Sequence, residues 1–262
     1  MKTLKSISLL LILSTALFSS CKKDKDAPAL PPESAFTANF SDFNQAAKNI
    51  TDTTSVNWLH SAINVGVWNV IITVGLAVPV ASYVEAVKNH PADYQGDNTW
   101  LWTYSFNVGS NSFTAELYGV LKSETVEWKM YITKSGEYTH FLWYSGVSNI
   151  DGKHGTWTLY NKPTDPSELL GIEWNRTTDS TGNIKYTNIV PGGTENGGYI
   201  LYGNDSETDL NAYYNIYNKG QDNLIQIEWS QTVKNGRVKD IKKFGDDVWH
   251  CWDETLLDID CN

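Results

Sequence analysis

Cysteine and methionine are scarce in this 262-residue chain, with three and two copies, and histidine occurs five times. His60, His90, His140, His154 and His250 are dispersed, with no His-x-x-x-His pair and no HExxH run, which argues against a helical zinc site. No G-x-S-x-G elbow and no glycine-rich phosphate motif occurs. The sequence therefore lacks the signatures of a serine hydrolase or a phosphate-binding enzyme. No catalytic residue, metal ligand or cofactor is assigned. Positive charge is also short, with 20 Lys and Arg against 30 Asp and Glu. An acidic surface argues against nucleic acid and anionic headgroups as principal partners.

Long apolar runs are few. The first follows Lys2 and Lys5, covers residues 7–18, and ends at Ser19, Ser20 and Cys21. A bilayer span needs about 20 apolar residues, so this shorter run reads as a secretory signal. A signal ending at cysteine resembles the lipobox of bacterial lipoproteins, although Phe18 stands where a small aliphatic residue is commoner. The resemblance implies removal of residues 1–20, lipidation of Cys21, and the membrane as a partner through that anchor. Without residues 1–20, 18 basic residues face 30 acidic ones, a net charge of −12.

Residues 21–33 hold Lys22, Lys23, Asp24, Lys25 and Asp26, then Pro28, Pro31 and Pro32. Such composition buries no core and reads as a flexible tether. Its charged start resembles the sorting signals of Bacteroidota outer-membrane lipoproteins, which implies an outer-membrane location, on the periplasmic face or the cell surface. A plain solvated linker is the alternative.

Residues 34–262 are long enough for a single domain with a substantial core. Helices are expected over 34–91. Phe36, Phe40, Phe43, Ala47 and Ile50 recur at steps of three and four, predicting one helix over 34–50. The next segment carries two apolar stripes. One is Val56, Leu59, Ile63, Val67, Val70 and Val74; the other is Trp58, Ala62, Val65, Ile72 and Leu76. Gly75 is placed to end that helix, and Pro79 to begin another that runs to about Asn89. Residues 65–83 carry no charge, yet Gly66, Asn69, Gly75 and Pro79 interrupt them. Two helices packed on a sheet are expected there, rather than a membrane span.

Alternation replaces helical spacing over residues 100–252. Trp100, Trp102, Tyr104, Phe106 and Val108 share one strand face, while Leu101, Thr103, Ser105 and Asn107 share the other. A degenerate repeat places Glu127-Trp128, Glu173-Trp174 and Glu228-Trp229 in equivalent strands. Alternation turns each tryptophan to the core and each glutamate to water. The fold class is mainly β with helices (α+β): an antiparallel up-and-down meander of roughly 11–12 strands. It is expected to curve or close into a barrel, covered or plugged by the N-terminal helices. Residues 253–262 are left as a tail. Cys251 and Cys261, an even pair in an exported chain, predict a disulfide worth about 2–3 kcal/mol.

The signal, the helical preface, the Trp100–Tyr104 strand, the segment around Ile189 and Pro191, and the closing Trp249, His250, Cys251, Trp252 and Asp253 resemble a group of uncharacterised Bacteroidota lipoproteins. That resemblance implies no activity. At fold level only, the meander is similar to periplasmic lipoprotein-carrier half-barrels, which implies an apolar ligand.

The chemistry left is aromatic. Trp100, Trp102, Tyr104, Trp143, Tyr213 and Tyr217 are the candidate ligand contacts, for an apolar small molecule, a glycan or an envelope protein. Non-enzymatic binding is the expected role; a structural envelope lipoprotein and a glycan hydrolase are the alternatives. For the hydrolase, Glu127, Glu173 and Glu228 are candidates only through their recurrence. Asp205, Glu207 and Asp209 lack the glycine and terminal acid of a calcium loop and read as a solvated turn.

Overall fold

Alternation of large apolar and polar side chains produces one antiparallel sheet. A computed structural model of the protein describes residues 26–44, 54–88, 90–178, 181–206 and 209–261. The signal, the lipidation site Cys21, and Ala47, Ile50, Glu207 and Asn89 lie outside them. The strands are β1 (Ala92–Gly96), β2 (Thr99–Val108), β3 (Asn111–Leu121), β4 (Thr125–Lys134), β5 (Tyr138–Asn149), β6 (His154–Lys162) and β7 (Asp165–Arg176). They continue as β8 (Gly182–Asn188), β9 (Tyr199–Asn204), β10 (Ala212–Asn218), β11 (Asn223–Trp229), β12 (Gly236–Lys239), β13 (His250–Trp252) and β14 (Asp258–Ile259).

Each strand pairs with its neighbour in sequence, giving a 14-stranded meander that does not close into a barrel. The count exceeds the expected 11–12 at the margins. β1 is exposed over Asp93, Tyr94 and Gln95 and shows no alternation to read, and β14 has only two residues inside the expected tail. Both open edges are blunt: β1 is short and bulged near Gly96, and β14 offers almost no ladder.

The repeat sets the packing of the inner face. Trp128, Trp174 and Trp229 are buried, while Glu127 and Glu173 are exposed and Glu228 is half-buried beside Arg237. Register explains how so many indoles fit. Trp100 lies opposite Gly119, Gly119 opposite Trp128, Trp128 opposite Gly146, and Gly146 opposite Trp157. Tryptophan and glycine thus alternate across five strands, and Trp229, Gly236 and Trp252 repeat the device further on. A Cβ added at Gly146 would meet the Trp157 ring at 2.3 Å, and one at Gly155 the Trp174 ring at 2.2 Å. Each glycine leaves the space that a neighbouring indole fills.

Those indoles and nearby phenols then bind the N-terminal segment. Tyr83 Oη donates to the Pro31 carbonyl (2.8 Å), Trp157 Nε1 to Ala35 (3.0 Å), Tyr186 Oη to Phe36 (3.2 Å) and Tyr214 Oη to Asn39 (2.8 Å). Trp229 Nε1 donates to the Asp42 carboxylate at 2.9 Å. This corrects the expected helix over 34–50. Phe36, Phe40 and Phe43 are buried as the stripe requires, but only a 3-10 turn at Glu33–Ala35 and the short α1 (Ser41–Asn44) are helical in the described part. Carbonyls that would accept intrahelical bonds are taken by the sheet instead. The tether also ends sooner than residue 33, since Pro31 is buried and Leu30 packs on the core.

Two helices return across the inner face. They are α2 (Val56–Val70), continued by a π turn over Ile71–Gly75, and α3 (Ala77–Ala86). Of the two apolar stripes, Trp58, Ala62, Val65, Ile72 and Leu76 face the sheet and are buried. Val56–Gly75 is long and apolar enough to cross a membrane by length and composition, but this buried stripe commits one side of it to the sheet.

The first amides of α2 have no local side-chain cap. Val56 and Asn57 donate instead to the two carboxylate oxygens of Asp258 in β14, each at 3.0 Å. Asn57 Nδ2 also donates to the Cys251 carbonyl at 2.9 Å. The expected disulfide joins Cys251 and Cys261 across a Cα–Cα distance of 5.3 Å and ties β14 in place. Replacing both cysteines by serine is expected to lower stability by about 2–3 kcal/mol, read as an earlier urea midpoint. An unchanged midpoint would show that β14 is held without the bond.

Candidate functional site

The six aromatic candidates do not converge. Trp100, Trp102 and Tyr104 lie on the inner face and are buried. The Tyr104 hydroxyl donates to the Ser82 carbonyl at 2.8 Å, and its ring stacks on His90 at 4.8 Å. Burial, with the charges of Tyr144, Glu85 and Tyr83 adding to it, raises its pKa so far that the phenol stays neutral. Trp143 is buried among Tyr138 and Phe141, beside a register shift in β4–β5 that turns both Trp143 and Tyr144 inward. Tyr213 and Tyr217 are half-buried on the outer face of β10. Tyr213 fills the space above Gly203, and Tyr217 donates to Asp222 at 2.7 Å.

The inner face carries most of the buried side chains, and three clefts border it where the helical layer or the N-terminal segment meets the sheet. A cleft of about 430 Å3 lies between the docked Ala27–Pro32 stretch and Ala86, Val87, His90, Ala92 and Trp102. Another of about 400 Å3 is lined by Asp42, Phe43, Trp58, Trp229, Lys234 and Trp252. A third, of about 230 Å3 and largely apolar, sits between Val67, Trp68, Ile71 and Leu76 of the helical layer and Leu169, Leu170 and Tyr217 of the sheet.

On the outer face one group of partly exposed aromatic rings lines a groove; Tyr199 and Tyr217, 5.7 Å apart, form a second group on β9 and β10. A groove of about 290 Å3 crosses β2–β5 and is lined by Thr99, Tyr118, Val120, Glu127, Lys129, Tyr131 and His140. Tyr118 pairs with Lys129, and Val120 with Glu127, across the β3–β4 ladder. The four steps along the strand from Glu127 to Tyr131 give the groove a length of about 13 Å at the rise of a strand. The Tyr131 ring lies parallel to the His140 ring at 4.0 Å, and Tyr118 meets Tyr131 edge-on at 5.8 Å.

His140 reaches this position through a left-handed backbone with φ of 51°, and its amide donates to Thr133 Oγ1 at 2.9 Å. A non-glycine residue held there carries strain that the surroundings must fix. Two β-bulges in the same strand pair, after Met130 and after Ile132, set the displacement. A Glu116 carboxylate oxygen lies 3.5 Å from His140 Nε2. The Tyr118 phenol is raised above its ordinary pKa, chiefly by burial and then by the charge of Glu116 and by Tyr131, so it remains a neutral hydroxyl. Rings for stacking, a carboxylate acceptor at Glu127 and an ammonium donor at Lys129 thus share one shallow surface.

Sequence reasoning missed Tyr118, Tyr131 and His140 as a group. Strand parity already placed both tyrosines outward, opposite to Leu117 and Met130. The bulges and the strained His140 that complete the groove left no comparable signal.

One buried carboxylate with several hydrogen-bond partners lies elsewhere. Asp240, 2 % exposed, accepts from His60 Nε2 at 2.8 Å, from Asn223 Nδ2 at 3.0 Å, and from the Lys242 and Lys243 amides. Burial by itself raises this carboxyl; the bonds from Asn223, His60 and Lys243 outweigh it and hold the pKa below the usual value. The other side-chain partner of the His60 ring is Asn64, so the pair activates no nucleophile. It joins α2 to the short α4 (Ile241–Phe244), which Asp240 caps. Among the described residues no group of three or more His, Cys, Asp or Glu is placed to hold a metal ion.

No protein-family model, no curated protein and no solved structure matches the chain.

Proposed function

We propose that the protein is a non-enzymatic, lipid-anchored binding protein of the outer membrane, and that its outer-face groove takes a neutral glycan. The observation that carries this reading is the juxtaposition of Tyr118, Tyr131 and His140 with Glu127 and Lys129 in one groove. The apolar faces of a sugar ring stack on aromatic rings, and its hydroxyls both donate and accept, which suits a carboxylate beside an ammonium. A net charge of −12 after residue 20 disfavours acidic polysaccharides. The length of about 13 Å suits two or three sugar units.

A carrier role is less well supported. The inner face carries Trp100, Trp128, Trp157, Trp174 and Tyr214 in a buried core, and the three clefts border it. Hydrolysis has little support either. The carboxylates with displaced pKa values, Glu85, Asp165, Asp240, Asp246 and Asp253, are all lowered, opposite to the direction a general acid needs.

The test is glycan binding by the lipidated protein in detergent, screened against neutral and acidic oligosaccharides and followed by calorimetry. Tyr118→Ala is expected to weaken the retained neutral ligand about tenfold or more, as for a stacking residue at the centre of a site. Tyr217→Ala, on a distant part of the same face, should leave binding unchanged. Retention of no neutral glycan, or equal binding by Tyr118→Ala, would remove the reading.

A further inference from the structure

The helical layer keeps one surface that none of the described residues covers. Along α2 and its π turn, Ile63, Val67, Val70, Ile71 and Val74 are 58, 57, 58, 42 and 70 % exposed. They lie opposite the buried Ala62, Val65 and Ile72. No Asp, Glu, Lys or Arg occurs from Val56 to Val84, although the chain as a whole is strongly acidic. Single exposed apolar residues need no explanation, but a continuous aliphatic stripe on an uncharged stretch does.

The position of the N-terminal segment decides the occupant. Ala27–Pro32 packs beside Ala86 and Val87 of α3, and Tyr83 of that helix holds the Pro31 carbonyl. The chain that leads back to Cys21 therefore leaves from the helical layer and not from the outer face of the sheet. Ala27 is six residues from Cys21. Fully extended, such a connection reaches at most about 20–22 Å.

Resting on the reading of Cys21 as the lipid anchor, we infer that the exposed aliphatic face of α2 lies on the lipid surface of the membrane. Apolar insertion alone, without basic residues to add attraction for anionic headgroups, binds weakly. The short tether makes the contact intramolecular, where a high effective concentration lets a weak contact persist. The apolar cleft at Val67 and Ile71, continued by Leu169 and Leu170, extends the same surface. The helical layer then faces the bilayer, and the Tyr118–Tyr131 groove on the opposite side of the sheet faces away from it.

The experiment uses the lipidated full chain in vesicles of phosphatidylethanolamine and phosphatidylglycerol. With Cys21 acylated and Cys251 bonded to Cys261, Val74→Cys supplies a single free thiol for an environment-sensitive fluorophore. Lys129→Cys supplies the same label in the outer-face groove, and Val70→Cys replaces Val74→Cys if that variant fails to fold. Emission from position 74 is expected to shift to the blue and to be quenched about twofold by brominated lipid, while position 129 does neither. Equal, water-like emission from both positions on protein that still floats with the vesicles would overturn the inference and leave the anchor standing. Protein that fails to float would overturn the anchor. A blue shift without bromolipid quenching would assign the stripe to a second copy of the chain and overturn the lipid contact.

Discussion

Trp157→Ala is expected to lower the stability of the domain by about 3–5 kcal/mol, the range for deleting a large aromatic from a core. Trp157 is 1 % exposed and stacks on Trp174 at 5.4 Å. Phe36, Tyr83 and Tyr144 surround its ring at 5.9, 5.4 and 5.6 Å. Alanine would also remove the donor to the Ala35 carbonyl and open space beside Gly146, which has no side chain to fill it. The loss should appear as a lower urea midpoint with two-state behaviour kept. Trp157→Phe retains an aromatic ring but not the donor and should recover more than half of the loss. If alanine cost less than about 1 kcal/mol, the tryptophan–glycine alternation would not organise this core.

Asp240→Ala is the second large effect, expected at about 3–5 kcal/mol because it leaves His60, Asn223 and two backbone amides without their shared acceptor. The pH dependence separates charge from packing. The folded pKa of Asp240 lies below the unfolded value of about 4. Its contribution is therefore fully present above about pH 4 and is lost as pH falls through the folded value. Asp240→Asn keeps most of the shape without the charge. Wild type and Asp240→Asn should differ most near neutrality and converge in acid, measured by urea unfolding from pH 2 to pH 7. A gap that stays constant down to pH 2 would show that hydrogen-bond geometry alone, and not the charge, carries the effect.

Much of the sheet was legible because a strand obeys a period of two. Trp128 and Glu127 could be assigned to opposite faces from their order alone. The tryptophans needed glycine partners on adjacent strands, and those depend on register, which the period leaves open. The N-terminal segment was misread for a different reason. Phe36, Phe40 and Phe43 carry a helical spacing, yet their burial comes from a docked, mostly non-helical chain whose carbonyls answer to Trp157, Tyr186 and Tyr214. In α2 both stripes were visible. Choosing between them required the sheet, which took the one holding Trp58 and left the one holding Val67 outside. The outer-face groove was half legible: parity exposes Tyr118 and Tyr131, but only the bulges bring His140 over Tyr131.

The cap that Asp258 gives to α2 also orders events in time. Val56 and Asn57 stand about two hundred positions before the carboxylate that receives their amides. Synthesis on the ribosome releases the helix long before it releases β14. The early chain can form α2 but lacks the acceptor for its first amides, and the docking strands for the N-terminal segment have not yet emerged. Contacts this distant in sequence slow the completion of folding, although each strand of the meander can pair with its neighbour earlier. The last strand to be made is thus the one that caps α2.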